Sequence, residues 1–202
     1  MRYGIVIDTK RCFGCNACTI ACKQKNGTPS GVFWNRVYVN EVGSYPTVRR
    51  EYTPALCMHC DIPACVAVCP TGASYKREDG IVLVDQNKCV GCRYCMVACP
   101  YNARYFDNGS SEGYFPGKGL VAYETAQQLG KIKGTVSKCT MCADRIAVGE
   151  EPACVQTCPT KVRVFGDLDD PNSEISKLIV ARGGYQIHPE LGTNPSVYYL
   201  RG

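Results

Sequence analysis

The chain has no run of about 18 apolar residues, so a hydrophobic membrane-spanning helix is not expected. Lysine and arginine are scattered without a basic tract, and a nucleic-acid surface is not implied. There is no paired acid–base set, no phosphate loop and no nucleophile constellation, which argues against substrate chemistry of the chain's own. Histidine is scarce. The two residues, His59 and His188, stand far apart in sequence, which disfavours a two-histidine Rieske-type site. The N-terminal residues Met1 to Asp8 carry neither a signal peptide nor a twin arginine, so the chain unaided is expected to stay in the cytoplasm.

What is abundant is cysteine. Sixteen residues fall into four groups of four with none left over: Cys12, Cys15, Cys18, Cys22; Cys57, Cys60, Cys65, Cys69; Cys89, Cys92, Cys95, Cys99; and Cys139, Cys142, Cys154, Cys158. The first and third groups have the Cys-x2-Cys-x2-Cys-x3-Cys rhythm that wraps a cubane iron–sulfur cluster. The second widens one gap to four residues and the fourth widens one to eleven. Pro70, Pro100 and Pro159 follow the last cysteine of groups two, three and four, whereas Lys23 follows that of group one. Gly14 and Gly91 sit inside two of the loops, where backbone approaches inorganic sulfide and N–H groups can donate to it. At four thiolates per cluster the pattern predicts four [4Fe–4S] clusters, and so many in a chain of this length read as a wire.

In two-cluster ferredoxins the fourth cysteine of each run ligates the other cube. Only 19 residues, Pro70 to Lys88, separate groups two and three, which suits one compact two-cluster unit and leaves groups one and four to pair. The predicted sets are Cys12, Cys15, Cys18 with Cys158; Cys57, Cys60, Cys65 with Cys99; Cys89, Cys92, Cys95 with Cys69; and Cys139, Cys142, Cys154 with Cys22. The rival pairing, one with two and three with four, needs longer connecting segments. Disulfides are the competing use of cysteine, but the spacings are ferredoxin-like and the chain is no small secreted knot. Zinc competes only at the fourth group, whose two cysteine pairs could form a ribbon in isolation. His59 inside the second loop reads as a supporting side chain and not a ligand. Arg93, Lys138, Arg145, Lys161 and Arg163 lie near cysteines, where they could offset cluster charge or simply be solvated.

The 45% hydrophobic content includes every cysteine, so the oily core is thin and cluster binding should supply much of the folding free energy. The formal charge of +5 omits the clusters. Each oxidised cube with four thiolates carries roughly −2, which brings the holoprotein to roughly −3.

The fold class expected is α+β: two bacterial-ferredoxin-like two-cluster units with pseudo-two-fold repeats, plus insertions and an extended C-terminal tail. An outer unit combines 1–51 with 135–170, and an inner unit spans 52–106. The segment 107–134, with six glycines, reads as an insertion covering a cluster or a partner, and 171–202 as a tail that contacts a partner. Strands are expected at Tyr3 to Asp8 and around Val37 to Val39, and a hairpin over Ala73 to Asp85. Helices are expected around Cys18 to Lys25, Leu120 to Leu129 and Ile175 to Ala181. Trp34 reads as a packing lid.

The opening strand with its cysteine run, Cys57-Met58-His59-Cys60-Asp61-Ile62-Pro63-Ala64-Cys65, Cys69-Pro70-Thr71-Gly72, Asp79-Gly80-Ile81-Val82-Leu83-Val84-Asp85, Ser137-Lys138-Cys139-Thr140-Met141-Cys142 and Pro152-Ala153-Cys154 through Cys158-Pro159 resemble the four-cluster iron–sulfur subunit of the dimethyl-sulfoxide-reductase family. The resemblance covers nearly the whole chain. Phe165 to Pro171 looks most like the polysulfide, thiosulfate, tetrathionate and respiratory arsenate branches. The family implies an electron-transfer subunit in anaerobic respiration, without catalysis of its own, bound to a large catalytic subunit that holds a molybdenum or tungsten bis-pterin. Electrons would pass between that centre and a quinone-linked membrane subunit, a cytochrome or another carrier. The family pairs its clusters first with fourth and second with third, and its first cluster (Cys12, Cys15, Cys18, Cys158) faces the catalytic subunit. Such bacterial or archaeal complexes usually work on the periplasmic side of the membrane, exported by the signal of the catalytic subunit; a cytoplasmic place is the alternative. The competing functional reading is a free polyferredoxin serving a hydrogenase or another dehydrogenase, and a zinc-bound interaction module stands behind it.

Overall fold

The computed structural model describes residues 1–109, 113–128 and 131–200. Its elements, in order, are β1 (Tyr3–Ile7), α1 (Ala17–Asn26), β2 (Asn35–Val42), β3 (Arg49–Leu56), α2 (Ala64–Ala67), β4 (Ser74–Lys76), β5 (Val82–Val84), α3 (Tyr94–Val97), β6 (Tyr105–Phe106), α4 (Ala122–Gln128), β7 (Val136–Ser137), α5 (Ala143–Ile146), α6 (Ala153–Gln156), β8 (Arg163–Asp167), α7 (Glu174–Ala181) and β9 (Val197–Tyr199). Short helices and small sheets mix along the chain, an α+β composition.

Proline sets the length of the cysteine helices. In α2, α3 and α6 four helical residues are followed by a cap, then Cys69, Cys99 or Cys158, then proline. A residue before proline is pushed out of the helical region, so each helix stops at its cysteine. Group one has Lys23 instead, and α1 continues through Cys22 to Asn26, where Gly27 closes it in a left-handed conformation. The Lys23 ammonium donates to the carbonyls of Thr28, Pro29 and Val32 and ties down the following loop. After each Cys-Pro step the chain turns through another left-handed residue, Gly72, Asn102 or Lys161, and enters β4, β6 or β8.

The main sheet has the order β8-β1-β9. β8 is antiparallel to β1, with Ile7 opposite Arg163, and β9 is parallel to it, with Ile7 opposite Tyr199. Alternation along β1 gives the sheet two buried faces. Ile5 and Ile7 point into a core that includes Cys18, Cys57, Cys139 and Cys154, whereas Val6 packs with Ile175 and Leu200 beneath α7. Helix α7 starts at Ser173, whose hydroxyl accepts from the Ser176 amide, and Arg182 after its end pairs with Asp8.

Three features differ from the organisation expected of the sequence. First, β2 and β3 form an eight-residue antiparallel hairpin, so a unit boundary between residues 51 and 52 would cut a strand. The polar run Arg49–Leu56, with Pro54 inside it, hides its strand character. Second, β6 pairs with β7, which joins the 52–106 stretch directly to the 135–170 stretch. Third, the segment 171–200 is built into the protein: α7 covers one sheet face, and Val197 and Tyr199 are fully buried in β9. The expected hairpin is β4–β5, turning at Gly80. The expected helix at Leu120 to Leu129 is α4; Leu129 itself lies outside the described residues. In the segment 107–134, Tyr114 donates to the Thr28 carbonyl and Lys131 to those of Asn26 and Gly27, so its described part packs on the end of α1. Trp34 donates to Ser137 and packs on the core. Among the described residues, no helix is long and apolar enough to cross a membrane.

Candidate functional site

None of the sixteen cysteines is in a disulfide. Cys12, Cys15, Cys18 and Cys158 line one cavity. Cys22, Cys139, Cys142 and Cys154 line a second, and Cys57, Cys60, Cys65 and Cys99 a third. Cys95 lies within the fields of Cys89 and Cys69, and the exposed Cys92 is the remaining member of that sequence set. Among the described residues no group of three or more His, Cys, Asp or Glu side chains forms a single-ion site, and three of the cysteine quartets line cavities.

One backbone device recurs in all four loops. The residue before the second cysteine is Gly14, His59, Gly91 or Met141, and each is left-handed. Glycine suits two of them because a Cβ at Gly14 would lie 2.3 Å from the Tyr52 ring, and one at Gly91 would lie 2.3 Å from the Gly134 carbonyl. His59 and Met141 take the same turn with large side chains that are 0% and 1% exposed. The glycines were legible in the sequence. The equivalence of His59 and Met141 shows only when the loops are aligned on the second cysteine.

The donors around the sulfurs suit anionic ligands. The amides of Ser74, Val136, Met141 and Val162 approach Cys69, Cys89, Cys139 and Cys158 at 3.3, 3.5, 3.4 and 3.3 Å. Burial pushes the Cys22 thiol up to about 12, with the nearby Cys154 and Cys142 adding to it. Burial and the neighbouring Cys57 raise Cys60 to about 12. Cys69 goes the other way: desolvation pushes it up, but donation from Ser74, Thr71 and Ala73 outweighs that and lowers it to about 7. Metal loading takes thiolates, so assembly at Cys22 and Cys60 releases protons that burial would otherwise hold.

His59 is buried, and its Nδ1 accepts from the Val82 amide at 3.1 Å. Burial, then the charges of Lys138 and Arg104, push its pKa well below the usual imidazole range. The neutral ring therefore carries its proton on Nε2, which has no acceptor among the described protein groups. His188 pairs with Glu190 at the surface, so the two histidines do not form one site.

Of the five cations noted near cysteines, Lys138 and Arg163 are buried. The other three serve the surface: Arg145 pairs with Glu150, Arg93 stacks over Phe106, and Lys161 is exposed. A third buried cation, Arg104, is not among those five. It is the fifth residue after Cys99, as Arg163 is the fifth after Cys158 and Ser74 the fifth after Cys69. That offset is the signal that finds it.

The C-terminal segment reaches the cysteines too. The amides of Asp61 and Ile62 donate to Asn194 and Thr193, and the Ser196 amide donates to Met58. Thr193 lines the Cys57 cavity and bonds the Tyr101 hydroxyl at 2.6 Å.

A family model described as "4Fe-4S dicluster domain" matches residues 48–113 and 120–168, and a second of the same description matches residues 11–73. The chain is 46% identical, over 99% of its length and 79% of the relative, to an iron–sulfur subunit of Halobacterium salinarum named for dimethyl sulfoxide reductase. It is 43% identical to a sulfite dehydrogenase subunit of Allochromatium vinosum, over 97% of this chain and 81% of that one. It is 39% identical to the arsenate respiratory reductase iron–sulfur subunit of a Shewanella species, over 100% of this chain and 97% of that one. The chain belongs to the iron–sulfur subunits of the dimethyl-sulfoxide-reductase family. As a member of that family it is an electron-transfer subunit carrying [4Fe–4S] clusters, and its relatives are parts of larger oxidoreductase complexes. The thiolate quartets, the N–H donors and the buried cations suit such clusters.

Proposed function

We propose that this subunit holds four [4Fe–4S] clusters: the first on Cys12, Cys15, Cys18 and Cys158, the second on Cys57, Cys60, Cys65 and Cys99, the third on Cys69, Cys89, Cys92 and Cys95, and the fourth on Cys22, Cys139, Cys142 and Cys154. When bound, they supply one-electron redox chemistry. The observation that carries this reading is the lining of the three cavities, each by the four cysteines of one set. The pseudo-two-fold relation between two ferredoxin-like units belongs to the same proposal, supported by the repeated helix, Cys-Pro and left-handed turn.

The path runs first, fourth, second, third. Arg163 lies between Cys18 and Cys154, the field of Cys57 reaches Cys139, and Arg104 lies between Cys65 and Cys95. Exposure supports the ends. Cys15 and Cys92 are the two exposed cysteines, and they fall in the first and third sets. Apolar side chains stand uncovered beside each: Phe13 and Ile20 near Cys15, and Val90, Tyr94 and Val97 near Cys92. Such rims suit permanent partners. The first end meets a catalytic subunit carrying a molybdenum or tungsten bis-pterin, and the third end a quinone-linked membrane subunit or a cytochrome. The subunit has no catalytic site of its own, the choice of substrate belongs to its partner, and the assembled complex works on the periplasmic side.

Anaerobic purification from the native host tests this. Iron at about 16 per chain, with molybdenum or tungsten and a large co-purifying subunit, is the expected result. Iron at that level in a free, pterin-free chain that is stable on its own would favour a polyferredoxin, and zinc in place of iron would end the proposal.

A further inference from the structure

Arg104, Lys138 and Arg163 are the only buried lysine or arginine side chains among the described residues, each 2% exposed. None has a carboxylate partner there. A buried cation without an anion is strongly unfavourable, so something else must supply the negative charge. In each case cysteines from two different sets are at hand. Arg163 points its two terminal nitrogens at Cys154 (3.9 Å) and Cys18 (3.7 Å), fourth set and first set. Lys138 bonds the carbonyl of Cys139, in the fourth set, and that of Val82, which lines the cavity of the second set, and its charge acts on Cys139 and Cys65. Arg104 donates to Cys65 at 2.9 Å and its charge acts on Cys95, second set and third set. The path has three gaps between consecutive clusters, and each gap holds one cation.

All three are held in place. Asn35, itself 1% exposed, accepts from Arg163 at 2.7 Å while its amide donates to the Cys18 carbonyl. Ser74 accepts from Arg104 at 2.7 Å. Lys138 is fixed by its two carbonyls. Neutral thiols would not need such groups.

We propose that Arg163, Lys138 and Arg104 are the counter-ions of the electron path, one in each gap, and that each raises the reduction potential of both clusters it faces. The proposal rests on the four-cluster reading. Reduction adds one negative charge to a cluster that already carries roughly −2. A fixed cation in a low-dielectric gap favours that addition on either side and offsets the repulsion between two reduced neighbours. Hydrogen bonding to the sulfurs acts in the same direction.

The test is a redox titration followed by electron paramagnetic resonance, on the protein purified anaerobically in its complex. Arg163→Gln, Lys138→Gln and Arg104→Gln are each compared with the charge-keeping Arg163→Lys, Lys138→Arg and Arg104→Lys. Each neutral variant is expected to make two of the four clusters at least tenfold harder to reduce, which is about 59 mV for one electron. The Arg163 and Lys138 variants should share one shifted cluster, the Lys138 and Arg104 variants should share another, and the Arg163 and Arg104 variants should share none. Charge-keeping exchanges should leave the potentials near those of the parent. Loss of iron in a neutral variant that the charge-keeping exchange restores also supports the counter-ion role. Full iron with unmoved potentials, equal shifts in both variants of a pair, or iron lost in both, overturns it. A parent protein with fewer than four titrating clusters would count instead against the four-cluster reading.

Discussion

Gly14, His59, Gly91 and Met141 each stand before the second cysteine of a run and share a left-handed backbone. The conformation costs a non-glycine residue about 1 to 3 kcal/mol, and His59 and Met141 bear that cost where their side chains fill the interior. The glycines are there for a different reason: neighbouring atoms leave no room for a Cβ. Gly91→Ala is therefore expected to disrupt the Cys89 cluster, dropping iron by about four per chain while the other clusters stay; unchanged iron would show that the Gly134 carbonyl can yield. Cys158→Ser is expected to damage the cluster of Cys12, Cys15 and Cys18, read as the loss of one resonance signal. Loss of the Cys139 cluster instead would show that the fourth ligands are exchanged otherwise. Sequence spacing proposes the cysteine sets. It could not show that Arg104 lies between two of them, because burial depends on where β6 and β4 meet.

At the level of elements, local signals were readable and distant pairings were not. β1 alternates, the β4–β5 hairpin turns at Gly80, and α7 begins on a serine cap; each follows from a few neighbouring residues. β3 and β9 do not announce themselves, because their strand character comes from partners elsewhere in the chain. The two are also linked: the buried Tyr199 of β9 donates its hydroxyl to the Pro54 carbonyl of β3 at 2.8 Å. Tyr199→Ala removes that bond and a fully buried ring, a loss of about 3 to 5 kcal/mol by analogy with other large aromatic truncations. The variant is expected to release iron at a lower denaturant concentration than its parent; the same release midpoint would mean that β9 is not needed to hold the clusters in place.

Across the whole molecule, the core and the metal sites are one object. Cys18, Cys57, Cys139 and Cys154 belong to the same buried assembly as Ile5, Ile7, Val197 and Tyr199. Chelating the iron is therefore expected to abolish fixed tertiary structure, seen as collapse of amide dispersion in nuclear magnetic resonance; a well-dispersed metal-free spectrum would contradict it. Charge should change with it. The metal-free chain at +5 is expected to bind a cation exchanger near neutral pH, and the loaded protein, at roughly −3, an anion exchanger.

The central strand β1 is flanked by β8 and β9, so residues 3–7 find their neighbours only after residues 163–167 and 197–199 exist. During synthesis β1 has to wait for both of its partners, while the stretch from Cys57 to Cys99 already carries all four cysteines of its cavity. Metal delivery is thus expected to begin in the middle and finish at the two extremities. Whatever inserts the iron must keep the early segment from sticking to anything else until the late one arrives.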